Sequence, residues 1–218
     1  MSDDGALDAG DFGSWLAEMR DALAGDGAAD VPCGSCTACC TSSQFVHIAP
    51  DEEDVLAHVP KALLFPAPGA PRGHVLLGYD EHGHCPMLID GACSIYAHRP
   101  RTCRTYDCRV FPAAGIEPTE ADKAEIAARV RRWRFGIASA DDQARHDAVR
   151  AAATYLDGHP EVLDERGPVT DTQRAVLAVE VHTAFTRRDV GTGAVQVATP
   201  SADEVRVEIG RARRRRPT

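Results

Sequence analysis

Cysteine is missing from most of this chain, because all eight cysteines lie between residues 33 and 108 of 218. Lysine is scarce as well, and only Lys61 and Lys123 are present. Aromatic residues make up 6% of the sequence, which predicts cores built from small aliphatic side chains. Such cores bury little area for each residue, so a bound metal would help to stabilise the cysteine-rich part.

Long apolar segments are lacking too. No run of about 18 apolar residues occurs, so the sequence predicts no membrane span. The first residues contain neither a basic nor an apolar segment, so we expect no secretory leader and a cytoplasmic protein. In that compartment thiols stay reduced, and clustered cysteines more often indicate metal or redox chemistry than a disulfide framework.

The charge balance is acidic. A formal net charge of −9 gives no strong nucleic-acid signal, because nucleic-acid-binding domains are usually basic. The exception is the Arg-rich tail at residues 211–216. Such a run can touch phosphate or an acidic membrane surface, but a solvated, disordered tail is the simpler interpretation.

The pattern of apolar residues, prolines and glycines predicts an α+β fold. A small, loop-rich, metal-stabilised cysteine module with short strands is followed by a helical bundle. The predicted divisions are an N-terminal tail and helix at 1–29, a cysteine-cluster metal-binding module at 30–112, a helical region at 118–190, and a weakly ordered C-terminal segment with the Arg-rich tail at 191–218.

Local signals place the individual elements. Helical spacing and capping residues predict helices over 11–24, 51–58, 119–135 and 139–156, and one that begins after Thr170. Apolar runs predict strands at 45–48 and 74–79, and a hairpin over 87–96 that turns at Asp90-Gly91. Three segments are predicted to be irregular: a disordered 1–10, a loop at 60–73, and 190–218 as a weak strand or loose chain.

The first four cysteines read Cys33-x-x-Cys36-x-x-Cys39-Cys40. A tight turn between Cys-x-x-Cys residues brings two sulfurs to one ion, as in structural zinc sites. The first three also match the start of a bacterial ferredoxin motif, but Cys40 follows at once, so that identification fails. Because adjacent side chains diverge, the Cys39-Cys40 pair favours two nearby sites that share the turn.

Four later cysteines can complete those sites: Cys85, Cys93, Cys103 and Cys108. Eight thiolates fit two four-sulfur zinc sites, two iron–sulfur clusters or one of each, and one or two sulfurs could be non-ligands. Buried thiols or disulfides are the weaker alternatives. Nearby histidines could substitute for a sulfur or support a ligand; they are His47, His74, His82, His84 and His98.

Two separated blocks resemble, in order, the CxxCxxCC cysteine-cluster family of YkgJ-like zinc- or iron-chelating domains. The first block is the run at 33–40. The second comprises Cys85-Pro-Met-Leu, Gly91-Ala-Cys-Ser-Ile-Tyr and Arg99-Pro-Arg-Thr-Cys-Arg-Thr-Tyr. The resemblance spans roughly residues 30–110 and implies bound zinc or iron.

Charged side chains surround the last two cysteines. The arginines there would lower thiol pKa values and balance the charge of thiolates, or else bind an anionic substrate or an acidic peptide. They are Arg99, Arg101, Arg104 and Arg109.

Three functional hypotheses follow. The first is a metal-binding protein with a structural, metal-handling or protein-interaction role. The second is an iron–sulfur-dependent enzyme, either redox or protein-modifying, since the resemblance extends to flagellin lysine N-methylases, with which an iron–sulfur cluster is associated. This chain has no glycine-rich methyl-donor fingerprint, and no catalytic residues can be assigned from local sequence. The third is a thiol redox sensor that releases metal on oxidation.

Overall fold

The computed structural model describes residues 5–25, 31, 33–163 and 170–215. The predictions for residues 1–4 and for Arg216 lie outside the described residues. In chain order the elements are β1 (Leu7–Asp11), α1 (Phe12–Ala24), β2 (Val46–Ile48), α2 (Glu53–His58), β3 (Leu64–Pro66), β4 (Val75–Leu77), β5 (Leu88–Ile89), β6 (Ala92–Cys93), α3 (Arg101–Thr105), α4 (Val110–Ala114), α5 (Ala124–Val130), β7 (Trp133–Gly136), α6 (Ala140–Gly158), α7 (Asp171–Val181), β8 (Thr186–Arg188), β9 (Val195–Val197) and α8 (Ala202–Arg215).

These helices and short strands confirm the predicted α+β class. The chain divides into two compact units, each assembled from separate segments. The cysteine unit contains residues 30–107 and 119–129. The helical unit contains residues 1–29, 108–118 and 130–218.

A small antiparallel sheet organises the cysteine unit. Its strand order is β2-β4-β3, and Leu77 of the central strand pairs with Val46 on one side and Leu64 on the other. Apolar side chains from the sheet, α2 and the β5–β6 hairpin form one core, against which three cysteines pack. The core residues are Val46, Ile48, Val55, Val59, Leu77, Met87 and Ile95, and the cysteines are Cys85, Cys93 and Cys103.

The helical unit packs α1, α4, α6, α7 and α8 around a core rich in alanine and valine. Its larger side chains are aromatic: the rings of Phe12 and Phe135 meet edge to face with centroids 5.4 Å apart, and Trp15 lies 4.9 Å from Phe135. Two helices of the sequence prediction begin where it placed them. Ser139 caps α6, and Thr170 and Gln173 form the capping box of α7.

The N-terminal segment corrects one prediction. The sequence predicts a disordered segment over 1–10 and a helix from Asp11, but Leu7–Asp11 form β1, which pairs in parallel with β7. The segment 133–136 was expected to end a helix but forms that partner strand, and α5 ends at Val130. The reason is non-local: the backbone hydrogen bonds of each strand are satisfied by a segment over 120 residues away, which local periodicity cannot reveal.

Two other segments also differ from expectation. The predicted loop at 60–73 contains β3, which supplies an edge of the sheet. The C-terminal segment 190–218, expected to be a weak strand or loose chain, contains β9, which pairs with β8, and the helix α8. Residues Val205, Ile209 and Ala212 are buried at helical spacing, and arginines end the helix where its dipole favours positive charge.

Among the described residues, none of the helices has the length and apolar character needed to span a bilayer.

Candidate metal centre

The cysteine run folds as the tight turn that its small residues predict. Cys36 donates its backbone N–H to the carbonyl of Cys33 at 2.9 Å, and Gly34 takes a positive φ of 55°. A 3-10 turn over Ala38–Thr41 then carries Cys39 and Cys40. These two turns place four partly buried cysteines on one short loop, where their sulfurs can turn toward a shared ligand.

A hairpin and a helical turn supply the later sulfurs. Cys93 lies on β6 and pairs with Leu88 of β5, and the turn between these strands places Asp90 and Gly91 at φ 50° and 75°. Both values lie in the left-handed region that Asp-Gly favours in two-residue hairpins. Cys103 lies on α3. The backbone N–H of Cys85 donates to the carbonyl of Cys40 at 2.7 Å and so joins this region to the first cysteine run.

Four thiols form a mutually interacting group: Cys40, Cys85, Cys93 and Cys103. Burial and the neighbouring thiols together raise the pKa of Cys40 and of Cys103 to about 12 each. The pKa of Cys85 is raised by burial and by Cys93, against hydrogen bonds from the backbone of Met87 and Leu88 that lower it. All six pairs among the four thiols appear in these interactions, so each sulfur lies near the other three.

The other four cysteines have different relations to this group of thiols. Cys33 and Cys36 add to the charge repulsion that raises the pKa of Cys40. Cys39 occupies the same 3-10 turn as Cys40. Cys108 belongs to the helical unit, where its Sγ accepts a hydrogen bond from Nε1 of Trp133 at 3.2 Å. Assignment of all eight as ligands stays a prediction.

No disulfide joins any of the eight cysteines, all of which lie in the described part of the chain. The donor set therefore consists of thiols, and deprotonated thiols are soft ligands that suit zinc or iron–sulfur clusters. Bringing several thiolates together is unfavourable without a cation, as the raised pKa values show, and a bound metal reverses that repulsion. The residues present fit such a group.

The distances between the sulfurs can be compared with those in a zinc site. In a tetrahedral zinc site with Zn–S bonds of about 2.3 Å, the sulfurs lie about 3.8 Å apart. Among the described residues, the set of three Cys, His, Asp or Glu ligand atoms that lie within 4.8 Å of one another contains no cysteine.

One arginine affects the thiol group directly. Arg99 is 8% exposed, stacks its guanidinium 3.8 Å over the ring of Tyr96 and lowers the pKa of Cys103 against the effect of burial. Arg101 instead binds Asp51 at 2.7 Å, and Arg109 of the helical unit donates to the carbonyl of Ala9. Arg99 thus balances charge at Cys103, as predicted for an arginine near the thiols.

The five histidines singled out from the sequence form three separate groups. Nε2 of His47 lies 2.9 Å from Nδ1 of His74. The backbone N–H groups of His82 and His84 both donate to Oδ1 of Asp80, which closes a turn. His98 contacts a carboxylate on α2, described below. That any of them substitutes for a sulfur or supports a metal ligand stays a prediction.

Glu52 is a residue of the site that the sequence pattern did not identify, since it predicted only a helix over 51–58. The side chain is buried, with Oε2 accepting from the backbone N–H of Ala49 and Oε1 from that of Arg101 at 2.5 Å. Arg101 is the first residue of α3, so this carboxylate fixes the helix that carries Cys103. No local signal separates Glu52 from its neighbours, because its second partner is 49 residues away.

Replacing Glu52 with alanine should lower the free energy of unfolding of the cysteine unit by about 3 kcal/mol, because two buried N–H groups lose their acceptor. Amide hydrogen exchange of α3 measures the effect. Glu53→Ala, an exposed change one residue along, is the control and should change stability by less than about 0.5 kcal/mol. Equal rates of amide hydrogen exchange in α3 of Glu52→Ala and Glu53→Ala would contradict the conclusion that Glu52 holds the start of α3 in place.

The helical unit has a cleft of its own, of about 400 Å³. Arg20, Arg145, Arg187 and Arg188 line it together with His182. Arg145 pairs with Asp142 and Arg187 with Glu204, both at 2.8 Å, so much of the positive charge is already neutralised.

The thiol group, its three contributing segments and the buried guanidinium define a cysteine-thiolate metal-binding domain. Residues 32–128 match the model of the family CxxCxxCC, described as "Putative zinc- or iron-chelating domain". This match confirms the resemblance that the cysteine pattern indicated, over 97 of the 218 residues. A search of curated proteins gave no match, and a search of solved structures gave none either.

Proposed function

We propose that the cysteine unit holds an iron–sulfur cluster through Cys40, Cys85, Cys93 and Cys103, and that the chain is a metal-binding protein of the reduced cytoplasm. One observation supports the proposal most strongly: the four thiols come from three segments and interact in all six pairs. At the same time, no three of the sulfurs lie as close to one another as a single zinc ion requires. A cluster contains several metal atoms between its ligands, so it accommodates wider spacing.

Two further contacts support the proposal. Hydrogen bonds from the backbone of Met87 and Leu88 to Cys85 resemble those that stabilise cluster thiolates and tune their potential. The guanidinium of Arg99 offsets negative charge beside Cys103. When bound, a cluster would supply one-electron redox chemistry or a rigid cross-link between the loops. The protein's own residues would exclude water from it, donate hydrogen bonds to its thiolates and balance its negative charge.

Zinc is the second candidate, and a specific observation favours it as well. Cys33 and Cys36 are joined by the tight turn found in structural zinc sites and contribute to the pKa of Cys40. A zinc ion at this turn would need the sulfurs to move closer together. Its role would be to stabilise the unit or to support a protein partner.

The deciding experiment is metal and sulfide analysis of full-length protein purified without oxygen. We expect a brown protein with broad visible absorption and with iron and acid-labile sulfide in similar amounts. A colourless protein with stoichiometric zinc overturns the cluster but leaves the thiolate metal site intact. If neither zinc nor iron is present, the metal-binding function is rejected.

A further inference from the structure

A second group of ligand-type side chains lies in the cysteine unit and contains no cysteine. It comprises Asp54, His58 and His98, whose ligand atoms all lie within 4.8 Å of one another. Asp54 and His58 are one turn apart on α2, so they share a face of that helix. His98 ends the 3-10 turn Tyr96–His98, 44 residues further along the chain.

The carboxylate of Asp54 contacts both imidazoles. Its Oδ2 lies 2.7 Å from Nδ1 of His98, and its Oδ1 lies 3.6 Å from Nδ1 of His58. A tetrahedral zinc site with bonds of about 2.0 Å separates its ligand atoms by about 3.3 Å. The two observed distances bracket that value, so small side-chain rotations would place all three atoms around one ion.

The two imidazole rings also adopt the same orientation. Their centroids are 3.6 Å apart and their planes differ by 9°. The stacking brings both rings beside the same carboxylate. Imidazole nitrogens beside a carboxylate oxygen are a ligand set for borderline divalent metals.

We propose that Asp54, His58 and His98 form a separate nitrogen–oxygen site that binds Zn²⁺ at the surface of the cysteine unit. The side chains are 68%, 41% and 38% exposed, so a fourth position is open to water. Three protein ligands and one open position are typical of zinc sites that bind a further ligand rather than of closed structural sites. This site goes beyond the thiolate centre and does not depend on it.

The competing interpretation is an ordinary surface cluster. Nδ1 of His58 lies 2.7 Å from the backbone carbonyl of Asp54, and a metal would replace that hydrogen bond. Ion pairs of exposed groups are common and contribute little to stability. Zinc binding that is lost when any one of the three side chains is replaced distinguishes a metal site from such a surface cluster.

The test uses the full-length protein with its thiolate centre filled. Zn²⁺ is titrated in competition with a chromophoric chelator, with wild-type protein compared with His58→Ala, His98→Ala and Asp54→Asn. Wild type should bind one additional zinc, and each variant should bind it about tenfold more weakly or not at all. The matched control is His82→Ala, an exposed histidine of the same unit, which should behave as wild type.

A second readout separates the site from the thiols. Co²⁺ added in place of Zn²⁺ to protein with its thiolate centre filled should add weak visible bands to the difference spectrum without new sulfur charge-transfer absorption, and these bands should be absent in His98→Ala. Asp54→Asn keeps the shape of the side chain, so its zinc affinity tests the proposed site even if an alanine variant fails to fold. Equal zinc uptake by wild type and Asp54→Asn, or an equal loss in the His82 control, overturns the proposal.

Discussion

Replacing Cys103 with serine is expected to remove the bound metal and to unfold the cysteine unit. Cys103 interacts with all three other thiols of the proposed centre and packs on the core of its unit. Serine keeps the size of the side chain but offers a hard hydroxyl that stays protonated. A structural zinc site contributes on the order of 10 kcal/mol to folding, comparable with the whole stability of a small domain.

Two measurements on anaerobically purified protein check this prediction. Metal content should fall from stoichiometric to near zero. Tryptophan fluorescence should still show a cooperative unfolding transition, because both tryptophans, Trp15 and Trp133, belong to the helical unit. A wild-type metal content in Cys103→Ser would remove this cysteine from the ligand set. Loss of the tryptophan transition would show that the helical unit needs the cysteine unit to fold.

Ile95→Val separates metal loss from ordinary loss of packing. Ile95 is 7% exposed and lies in the same core against which Cys103 packs. Removal of one methylene should cost about 1 kcal/mol without affecting the metal content. If this control loses metal as completely as Cys103→Ser, metal retention reports the stability of the unit and not the identity of its ligands.

Features encoded within a few residues could be predicted from the sequence. The Asp90-Gly91 turn sets the hairpin that carries Cys93, because only small or Asx residues adopt its positive φ values readily. The capping box of α7 and the apolar face of α1 are local signals of the same kind. The cysteines could likewise be predicted as candidate metal ligands, because their spacing and chemistry are evident without tertiary information.

Features that depend on distant partners could not be predicted. The strand at Leu7–Asp11 exists because of Trp133–Gly136, and the clamp at Glu52 exists because of the start of α3. The sequence also left open which cysteines meet. The sequence is compatible with two four-sulfur zinc sites, two clusters, one of each, or one or two sulfurs that are not ligands. In the structure four thiols from three segments interact with one another, and Cys108 lies in the other unit.

Acidification between pH 6.5 and pH 4 is expected to destabilise the helical unit through His182. This imidazole is 3% exposed, and its Nδ1 donates to the carbonyl of Val179 at 2.6 Å. Burial lowers its pKa from 6.5 to about 4, with the positive charges of Arg20 and Arg145 acting in the same direction and Glu208 opposing them. The folded unit therefore holds a neutral ring.

The direction of the effect follows from the two protonation states. Above pH 6.5 the ring is neutral in both the folded and the unfolded chain, and its full contribution to stability is present. As the pH falls below 6.5, the unfolded chain binds a proton that the folded unit takes up only near pH 4, so stability declines. The loss should reach about 3 kcal/mol at pH 4, since each pKa unit corresponds to about 1.4 kcal/mol.

Denaturant unfolding followed by tryptophan fluorescence at pH 7, 5.5 and 4.5 measures this decline. His182→Asn keeps a donor for the Val179 carbonyl without a titrating ring, so its stability should fall less over the same range. A smaller slope should remain, because burial also lowers the pKa of His146. His159→Asn is the control, since that exposed ring makes the same kind of bond to the carbonyl of Tyr155. If His182→Asn and His159→Asn show the same pH dependence as wild type, the acid sensitivity of the helical unit does not arise at His182.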